Sequence, residues 1–544
     1  MKVKVVGVAL NAGTVFHGAL TRKLLGRTLV ERLIDKGDRF GVPRSDILIY
    51  TDVEEVALKA ERQGINSLLQ QSCNNVQDEQ LRCVKKFIKN NTEDSDTVLW
   101  LSPYAPLVSI NSLKRAQHCF DSSNVDVVFG ATVDVDQRPV ETPFSILEMF
   151  NAKPVVIREA RSSSFAFIRA NYVHGEYHDE HRQAAVPVGK DVFEIRSLHD
   201  WWVCEKLLTR KRIVFRVIGN EQVGMGHIYR ALSLAHEIID HEVIFTTVDG
   251  NQDVITQFED LDYPLQVVKS EKIIRSIIDL EPHLVINDIL NTSAEDVVEL
   301  REEGIKVVNF EDLGQGAALS DLTINELYDH PQFEGNNILW GRNYFFVRDE
   351  FEDANPCSFR GTPGRVLLVF GGVDRYDLTR KILQAIEAIC LEFDLMISIV
   401  TGPGYREYSA LEQEIISKPN ISLTHATGVI SKIMEGVSVA ITSNGRTVYE
   451  MAHMNIPAIV VPQHSREKTH EFAAEENGFV PLNPYKEGIT EKEVAKEFRR
   501  LIEDHNHRKR LFLATLPHRF TDNKKKVVDL ILAGLEERTI SNSY

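Results

Sequence analysis

The stretch 212-RIVFRVIGNEQVGMGHIYRALSLAHEI-238 decides the fold. It opens on a short run of β-branched and aromatic residues, the composition of a strand. From Ile228 onward its apolar residues recur at helical spacing. Between the two lies the glycine-rich turn VGMGH. Strand, turn and helix in that order begin an α/β unit, a parallel sheet covered by helices. The turn also sets a chemical expectation. Gly224 and Gly226 let the backbone approach a ligand and adopt positive φ. The free N–H groups of the following helix attract an anion such as a pyrophosphate. His227 falls in the first helical turn, where the positive end of the dipole disfavours imidazolium; a neutral ring, able to act as a base, is expected. Arg230 lies one turn later on the same face, within reach of a phosphate. The pattern alone fits a tight turn with a solvated histidine as well as it fits a site.

The same alternation runs outward in both directions. Before it lie the candidate strands 3-VKVVGVAL-10, 47-ILIYTD-52, 97-TVLWLSP-103 and 126-DVVFGATV-133, with helical patterns such as 27-RTLVERLIDKG-37 and 111-NSLKRAQHCF-120 between them. A parallel sheet covered by helices is expected there too. After it come 243-VIFTTVD-249, 283-HLVINDI-289 and 305-IKVVNFED-312, and then a further set from 365-RVLLVFGGVD-374 through 395-LMISIVTGPG-404, 437-VSVAITSNG-445 and 456-IPAIVVPQ-463. The basic stretch 205-EKLLTRKR-212 and the irregular 351-FEDANPCSFRGTPG-364 mark the joins. Three regions are expected, 1–208, 209–355 and 356–544. The last two suggest a GT-B arrangement, two Rossmann-like lobes facing one cleft, with ligands beyond the carboxyl ends of the strands.

A length of 544 residues calls for two or three domains, and 43% hydrophobic with 26% charged residues is an ordinary globular composition. The net charge of −17 argues against a general nucleic-acid binder. No apolar run is long enough for a membrane-spanning helix, and the opening MKVKVVGVAL reads as a strand and not as a signal peptide. Six scattered cysteines without a CxxC pair suit a cytoplasmic protein without a zinc site or disulfide framework.

The segment 442-TSNGRTVYE-450 is a second strand-to-helix turn. Asn444, Gly445, Arg446 and Thr447 would present backbone donors, a hydroxyl and one positive charge to a diphosphate. Glu450 lies one turn further on. Gly371 and Gly372 follow a buried strand and let the chain pass near a ligand, while Asp374 reads as a cap for the next helix. The segment 463-QHSREKTHEF-472 reads as a solvated loop, with Gln463, His464 and His470 as candidates for sugar contact. No DxD motif or cluster of histidines and carboxylates stands out in this half, so no metal cofactor is expected for it.

The stretch from Arg216 to Arg230 resembles the opening, roughly RxDxSxxIGxGHxxR, of the nucleotide-sugar hydrolases of pseudaminic acid biosynthesis, also labelled spore-coat polysaccharide protein G. Arg216, Gly224, Gly226, His227 and Arg230 match in register; Ile218 stands where the family has aspartate, and Asn220 where it has a small polar residue. Four more landmarks follow in order. They are 321-DLTINELY-328 with Asn325, 341-GRNYFFVRDEF-351 with Tyr344, 367-LLVFGGVDRYDLTRKIL-383, and 440-AITSNGRTVYEMAHMNIPAIVVP-462, whose Asn444 and Arg446 depart from the family's pattern. The resemblance covers roughly 212–540. It implies a UDP-sugar substrate of the (di)acetamido-deoxy class, Glu450 accepting the ribose hydroxyls, His227 activating water, and anomeric C–O cleavage with UDP as leaving group. A glycosyltransferase for surface polysaccharide using the same clamp, a bifunctional CMP-nonulosonic acid synthetase and hydrolase, and a non-catalytic nucleotide-sugar-binding scaffold are the competing readings.

Residues 1–208 resemble the cytidylyltransferases that activate nonulosonic acids with CMP, through 7-GVALNAGT-14, 24-LLGRTLVERLI-34, 49-IYTDVEEVALKAERQGI-65, 99-LWLSPYAPLVSINSLKRA-116 and 192-VFEIRSLHDWWVCEKLL-208. The family's ARxGSKxxPxKN opening supplies cations for a triphosphate. Here Leu10, Thr14 and Ala19 stand in that register, with Asn11 and Gly13 left as backbone donors. The family's IDxxxD motif supplies a magnesium-binding aspartate. Here it is 195-IRSLHD-200, where Arg196 replaces the first aspartate and only Asp200 remains; an arginine does not ligate Mg²⁺. A weak or inactive domain is expected, with magnesium needed only if it is active, and the resemblance implies a homodimer through this region. The cluster 174-HGEYHDEHR-182, with His174, His178 and His181 at helical spacing, reads as a solvated insertion.

Overall fold

The computed structural model describes residues 2–10, 18–70, 77–132, 160–175, 182–188, 191, 193–220, 224–251, 254–255, 258, 261 and 263–535. The chain forms two compact units, one reaching to Arg210 and one beginning at Lys211.

The first unit carries β1 (Val3–Ala9), β2 (Ile47–Thr51), β3 (Asn66–Leu69), β4 (Thr97–Leu101), β5 (Val127–Thr132), β6 (Ala160–Arg169) and β7 (Gln183–Pro187) in the order β3-β2-β1-β4-β6-β5-β7. β1 to β4 pair in parallel, as the apolar runs of β1, β2 and β4 suggest. β6 runs antiparallel to both β4 and β5, so the sheet is mixed and not the parallel sheet expected from the sequence. The segment ARSSSFAFIR opens on polar residues and lacks the apolar run that marks a buried parallel strand. Helix α1 (Leu29–Phe40) is started by a capping box between Thr28 and Glu31 and stopped by Gly41 in the left-handed region. Helix α2 (Leu198–Thr209) ends the unit, and Arg210 and Lys211 lead into the next strand.

The first lobe of the second unit holds β8 (Arg212–Val217), β9 (Glu242–Val248), β10 (Leu265–Val268), β11 (Leu284–Asp288), β12 (Lys306–Phe310), β13 (Leu322–Asn325) and β14 (Ile338–Trp340). Their order is β10-β9-β8-β11-β12-β13-β14, all parallel. The second lobe holds β15 (Arg365–Val369), β16 (Met396–Thr401), β17 (Ile421–His425), β18 (Val439–Thr442), β19 (Ala458–Val460) and β20 (Phe479–Pro481), ordered β17-β16-β15-β18-β19-β20 and again all parallel. Each lobe is a doubly wound Rossmann-like sheet, and the two share one cleft within a single compact unit, the two-lobe arrangement expected from the sequence. In each, the strand order reverses beside the first strand, between β8 and β11 and between β15 and β18. Ligands enter such sheets at that switch point.

Four helices matter for the site and its support: α3 (Gly226–Glu237), α4 (Leu378–Glu392), α5 (Arg446–His453) and α6 (Asn523–Leu532). α3 packs Ile228, Ala231, Leu232, Leu234 and Ala235 into the first lobe's core, the residues whose spacing marked it as a helix. α6, although last in sequence, returns to that same core with Val527, Val528 and Ile531. The stretch 356–544 therefore gives its last described helix to the first lobe. Burying each such side chain stabilises the packing by about 1.5–3 kcal/mol.

The two crossings between lobes lie against each other. Phe345 on the outgoing segment and Phe520 on the returning one meet at 5.2 Å between ring centres, and Phe345 stacks on Tyr449 of α5 at 4.3 Å. Asn523 donates to the Phe345 carbonyl at 2.7 Å. Lys524 pairs with Asp349, Glu352 and Glu237, joining the outgoing segment to α3. Among the described residues, no helix is long and apolar enough to cross a membrane.

Candidate functional site

The two switch points of the second unit open onto one cavity of about 340 Å³, the size of a small-molecule site. β8 leads through the Gly224 turn into α3, and β11 ends on Asp288 beside it. Across the cleft, β15 leads into Gly371 and Gly372, and β18 leads through Ser443 and Asn444 into α5. Gly224 has φ of 79°, which few side chains tolerate. Gly226 begins the helix in ordinary conformation, and its Cα hydrogen faces Arg446: a Cβ there would lie 3.5 Å from the arginine Cδ. The turns are interlocked more closely elsewhere. A Cβ on Gly402 would stand 2.4 Å from the backbone of Gly372, and one on Gly372 would stand 3.3 Å from the Met225 nitrogen.

His227 borders the cavity from the first turn of α3. Its Nδ1 lies 2.5 Å from Asp288 Oδ1, leaving Nε2 for a ligand. Arg230 grips the same carboxylate, donating from Nε to Oδ2 at 2.8 Å and from Nη2 to Oδ1 at 2.5 Å, and donates from Nη1 to Glu326 Oε1 at 2.8 Å. Arg446 of the second lobe reaches across to pair with the same Glu326 and to donate to the Phe346 carbonyl at 2.9 Å. Burial alone would push the Asp288 carboxyl up; Arg230 and His227 outweigh it and hold it at about 2. Burial, together with nearby Arg230, lowers Arg446 to about 10.

Arg230 and Arg446, both expected near a phosphate, border the cavity with their charges paired to carboxylates. Arg230 is buried and Arg446 partly buried, and each is paired with a carboxylate, as a charge taken out of water requires. The anion-facing donors that remain at α5 are its first backbone N–H groups, which no side chain caps.

Of the other expected residues, Gly371, Gly372, Gly445, Thr447, Glu450 and Gln463 border the cavity, together with Gly224 and Gly226. Glu450 accepts from Arg348 Nε at 3.0 Å. Gln463 donates through Nε2 to the Phe370 carbonyl at 2.8 Å. Asp374 caps α4, accepting from the Leu378 and Thr379 amides at 2.8 Å.

Four expected residues lie off the cavity wall. Arg216 pairs with Asp296 at 2.6 Å. Asn325 is fully buried at the end of β13 and donates to the Asp312 carbonyl. Tyr344 packs on the first lobe's core beneath Lys526. Asn444 acts behind the wall, its amide donating to the carbonyls of Glu467 at 2.7 Å and His470 at 2.8 Å. It thereby pins the 463–472 loop, which is exposed at His464, Ser465, Lys468, Thr469 and Glu471, as expected of a solvated loop, but buried at Glu467 and His470. Burial pushes the Glu467 carboxyl up to about 7 and lowers His470.

Sequence reasoning missed Asp288, Glu326, Arg348 and Arg466. Arg466 spans the cleft, donating to the Tyr328 hydroxyl and to Asn291 Oδ1, each at 3.0 Å, and to the Glu311 carbonyl. The one available signal was 284-LVIND-288, where a buried apolar run stops on a carboxylate.

In the first unit, Asp200 Oδ2 accepts from the Arg196 amide at 2.9 Å and the Ser197 hydroxyl at 2.8 Å, and Arg196 donates to Glu194. One oxygen of the Asp200 carboxylate thus helps to start α2, with the Arg196 side chain turned to Glu194. Leu10 borders that sheet, and Ala19 is buried beside Leu24, Trp201 and Cys204. Asn11, Gly13 and Thr14 lie outside the described residues, as do His178 and His181. His174 is held between Asp94 at 2.6 Å and the Thr92 hydroxyl at 2.8 Å.

No protein-family model matches the chain. It is 27% identical over 293 residues to an uncharacterized protein of Methanocaldococcus jannaschii, covering 50% of this chain and 60% of that protein, less than two thirds of the relative's length. It is 25% identical over 255 residues to the spore coat polysaccharide biosynthesis protein SpsG of Bacillus subtilis, covering 45% of this chain and 75% of SpsG. It is 24% identical over 249 residues to the UDP-2,4-diacetamido-2,4,6-trideoxy-beta-L-altropyranose hydrolase of Campylobacter jejuni, covering 44% of this chain and 87% of that enzyme.

Proposed function

We propose that the second unit hydrolyses a UDP-sugar of the acetamido-deoxy class, releasing UDP, in the biosynthesis of a nonulosonic acid or surface polysaccharide. The observation that carries this reading is His227 on the wall of a cavity that is shared by two switch points and is also lined by the first residues of α5, whose N-terminus no side chain caps. Similarity to a UDP-sugar hydrolase supports the substrate class. In this reading His227 Nε2 takes a proton from water as the water oxygen bonds to the anomeric carbon. The bond from that carbon to the diphosphate breaks, and its electron pair leaves on UDP. The first amides of α5 stabilise the leaving charge. The charges of Arg230 and Arg446 are balanced by Asp288 and Glu326, so these two side chains shape the field around the diphosphate. Glu450 would accept the ribose hydroxyls.

The test is UDP release from UDP-diacetamido sugars without any added acceptor. Wild type releases UDP and His227→Ala loses activity by about 100-fold or more. Equal release by both removes the base assignment, and release that requires an acceptor sugar turns the reading to glycosyl transfer. For the first unit we propose a cytidylyltransferase-like domain without turnover, supported by Arg196 and by the helix-capping engagement of Asp200.

A further inference from the structure

We propose that Asp288 is the positioning residue for the base. It holds the Nδ1–H of His227, fixes the tautomer that leaves the Nε2 lone pair toward the cavity, and is itself clamped by the fork of Arg230. The inference deepens the hydrolase reading, and its kinetic consequence rests on that reading; its geometric content does not.

The argument starts from donors and acceptors. An ionised carboxylate only accepts. Asp288 Oδ1 and His227 Nδ1 are 2.5 Å apart, a distance at which two lone pairs repel, so the proton between them belongs to Nδ1. The one competing donor, Arg230 Nη2, stands further off at 3.3 Å from Nδ1 and much closer, at 2.5 Å, to the carboxylate. The carboxylate stays ionised because Arg230 meets it with two donors, and its pKa is held low accordingly. Its position is set by the sheet: Asp288 is the last residue of β11 and pairs in register with Val217 of β8. The ring's position is set by α3. Strand and helix meet at the switch point, so neither partner depends on a loop for its geometry.

In the reaction, the proton that Nε2 takes from water makes an imidazolium whose Nδ1–H stays on Asp288. Asp288 stabilises that cation and is not itself protonated. The Nε2 proton passes to solvent after UDP leaves, and the ring returns to the same tautomer because Asp288 still claims Nδ1. With asparagine at 288 the side chain gains donors, and the ring loses its reason to keep the proton on Nδ1.

Two measurements test this on the full chain. Nitrogen-15 spectra of the histidine rings at alkaline pH, with His227 assigned by its absence in His227→Gln, report the tautomer directly. The expected result is a protonated Nδ1 and bare Nε2 in wild type, shifting toward protonated Nε2 in Asp288→Asn. In kinetics, Asp288→Asn lowers kcat for UDP release by about 100-fold or more while KM changes by less than about threefold. A wild-type ring protonated on Nε2 overturns the proposal, as does an Asp288→Asn enzyme with unchanged spectrum and kcat. If no UDP-sugar is turned over, the hydrolase reading falls while the spectrum still judges Asp288. If Asp288→Asn does not fold, the wild-type spectrum alone decides.

Discussion

Glu467 shows what the cleft does to a single side chain. Its carboxyl is buried, accepts the Gln463 amide at 2.6 Å, and has been pushed up to about 7 by the loss of water. The folded chain therefore keeps a proton there over a pH range in which the unfolded chain, with a carboxyl near 4.3, has lost it. Stability from this group is full at acid pH and falls as pH rises toward 7. Glu467→Gln removes that loss. The stability of the variant relative to wild type is expected to rise by about 2 kcal/mol between pH 5 and pH 8. Urea unfolding of both proteins at the two pH values measures it, and a difference independent of pH contradicts it. At this scale the sequence was readable for one side of each pair only. His227, Arg230 and Arg446 stood out because they follow glycine turns. Asp288 and Glu326, which decide what those residues do, come from strands far along the chain, and no local spacing links them.

At the scale of elements, the site depends on how closely turns pass one another. Gly402 ends β16 with no room for a methyl group against Gly372, and Gly372 in turn touches the Gly224 turn of the opposite lobe. Gly402→Ala must push these turns apart. It is expected to cost about 1–3 kcal/mol of stability and to weaken UDP binding measured by calorimetry. Gly428→Ala is the control, since a Cβ there meets nothing within 4 Å. Unchanged UDP affinity in Gly402→Ala would mean that the glycine turns do not shape the nucleotide site. The central strands of both lobes were legible as apolar runs, because a parallel strand covered on both faces has no polar side to hide, while the half-exposed outer strands β10 and β17 were not read. The short strands β14 and β20 were not, having three residues each and little pattern to read. The antiparallel β6 was not either, since its polar first half looks like a loop.

At the scale of the whole molecule, two compact units are fused, and their chemistry is expected to differ. In the first, one oxygen of the Asp200 carboxylate helps to start a helix and Arg196 stands beside it. Titration of the full chain with CTP and Mg²⁺ is expected to give no heat of tight binding, and incubation with a nonulosonic acid no CMP transfer; tight binding with transfer would overturn the assignment. The division into regions could be read from composition, but the return of α6 to the first lobe could not. Its apolar stripe says that it buries a face, without saying which core receives it.

That return has a mechanical side. The chain passes between the lobes twice, and the two passages are riveted together by Phe345, Phe520, Asn523 and Lys524. A waist built this way resists stretching and sideways slip while leaving bending as its soft direction. The rivet thereby keeps the two lobes in register, so that Gly226 of one holds its place against Arg446 of the other.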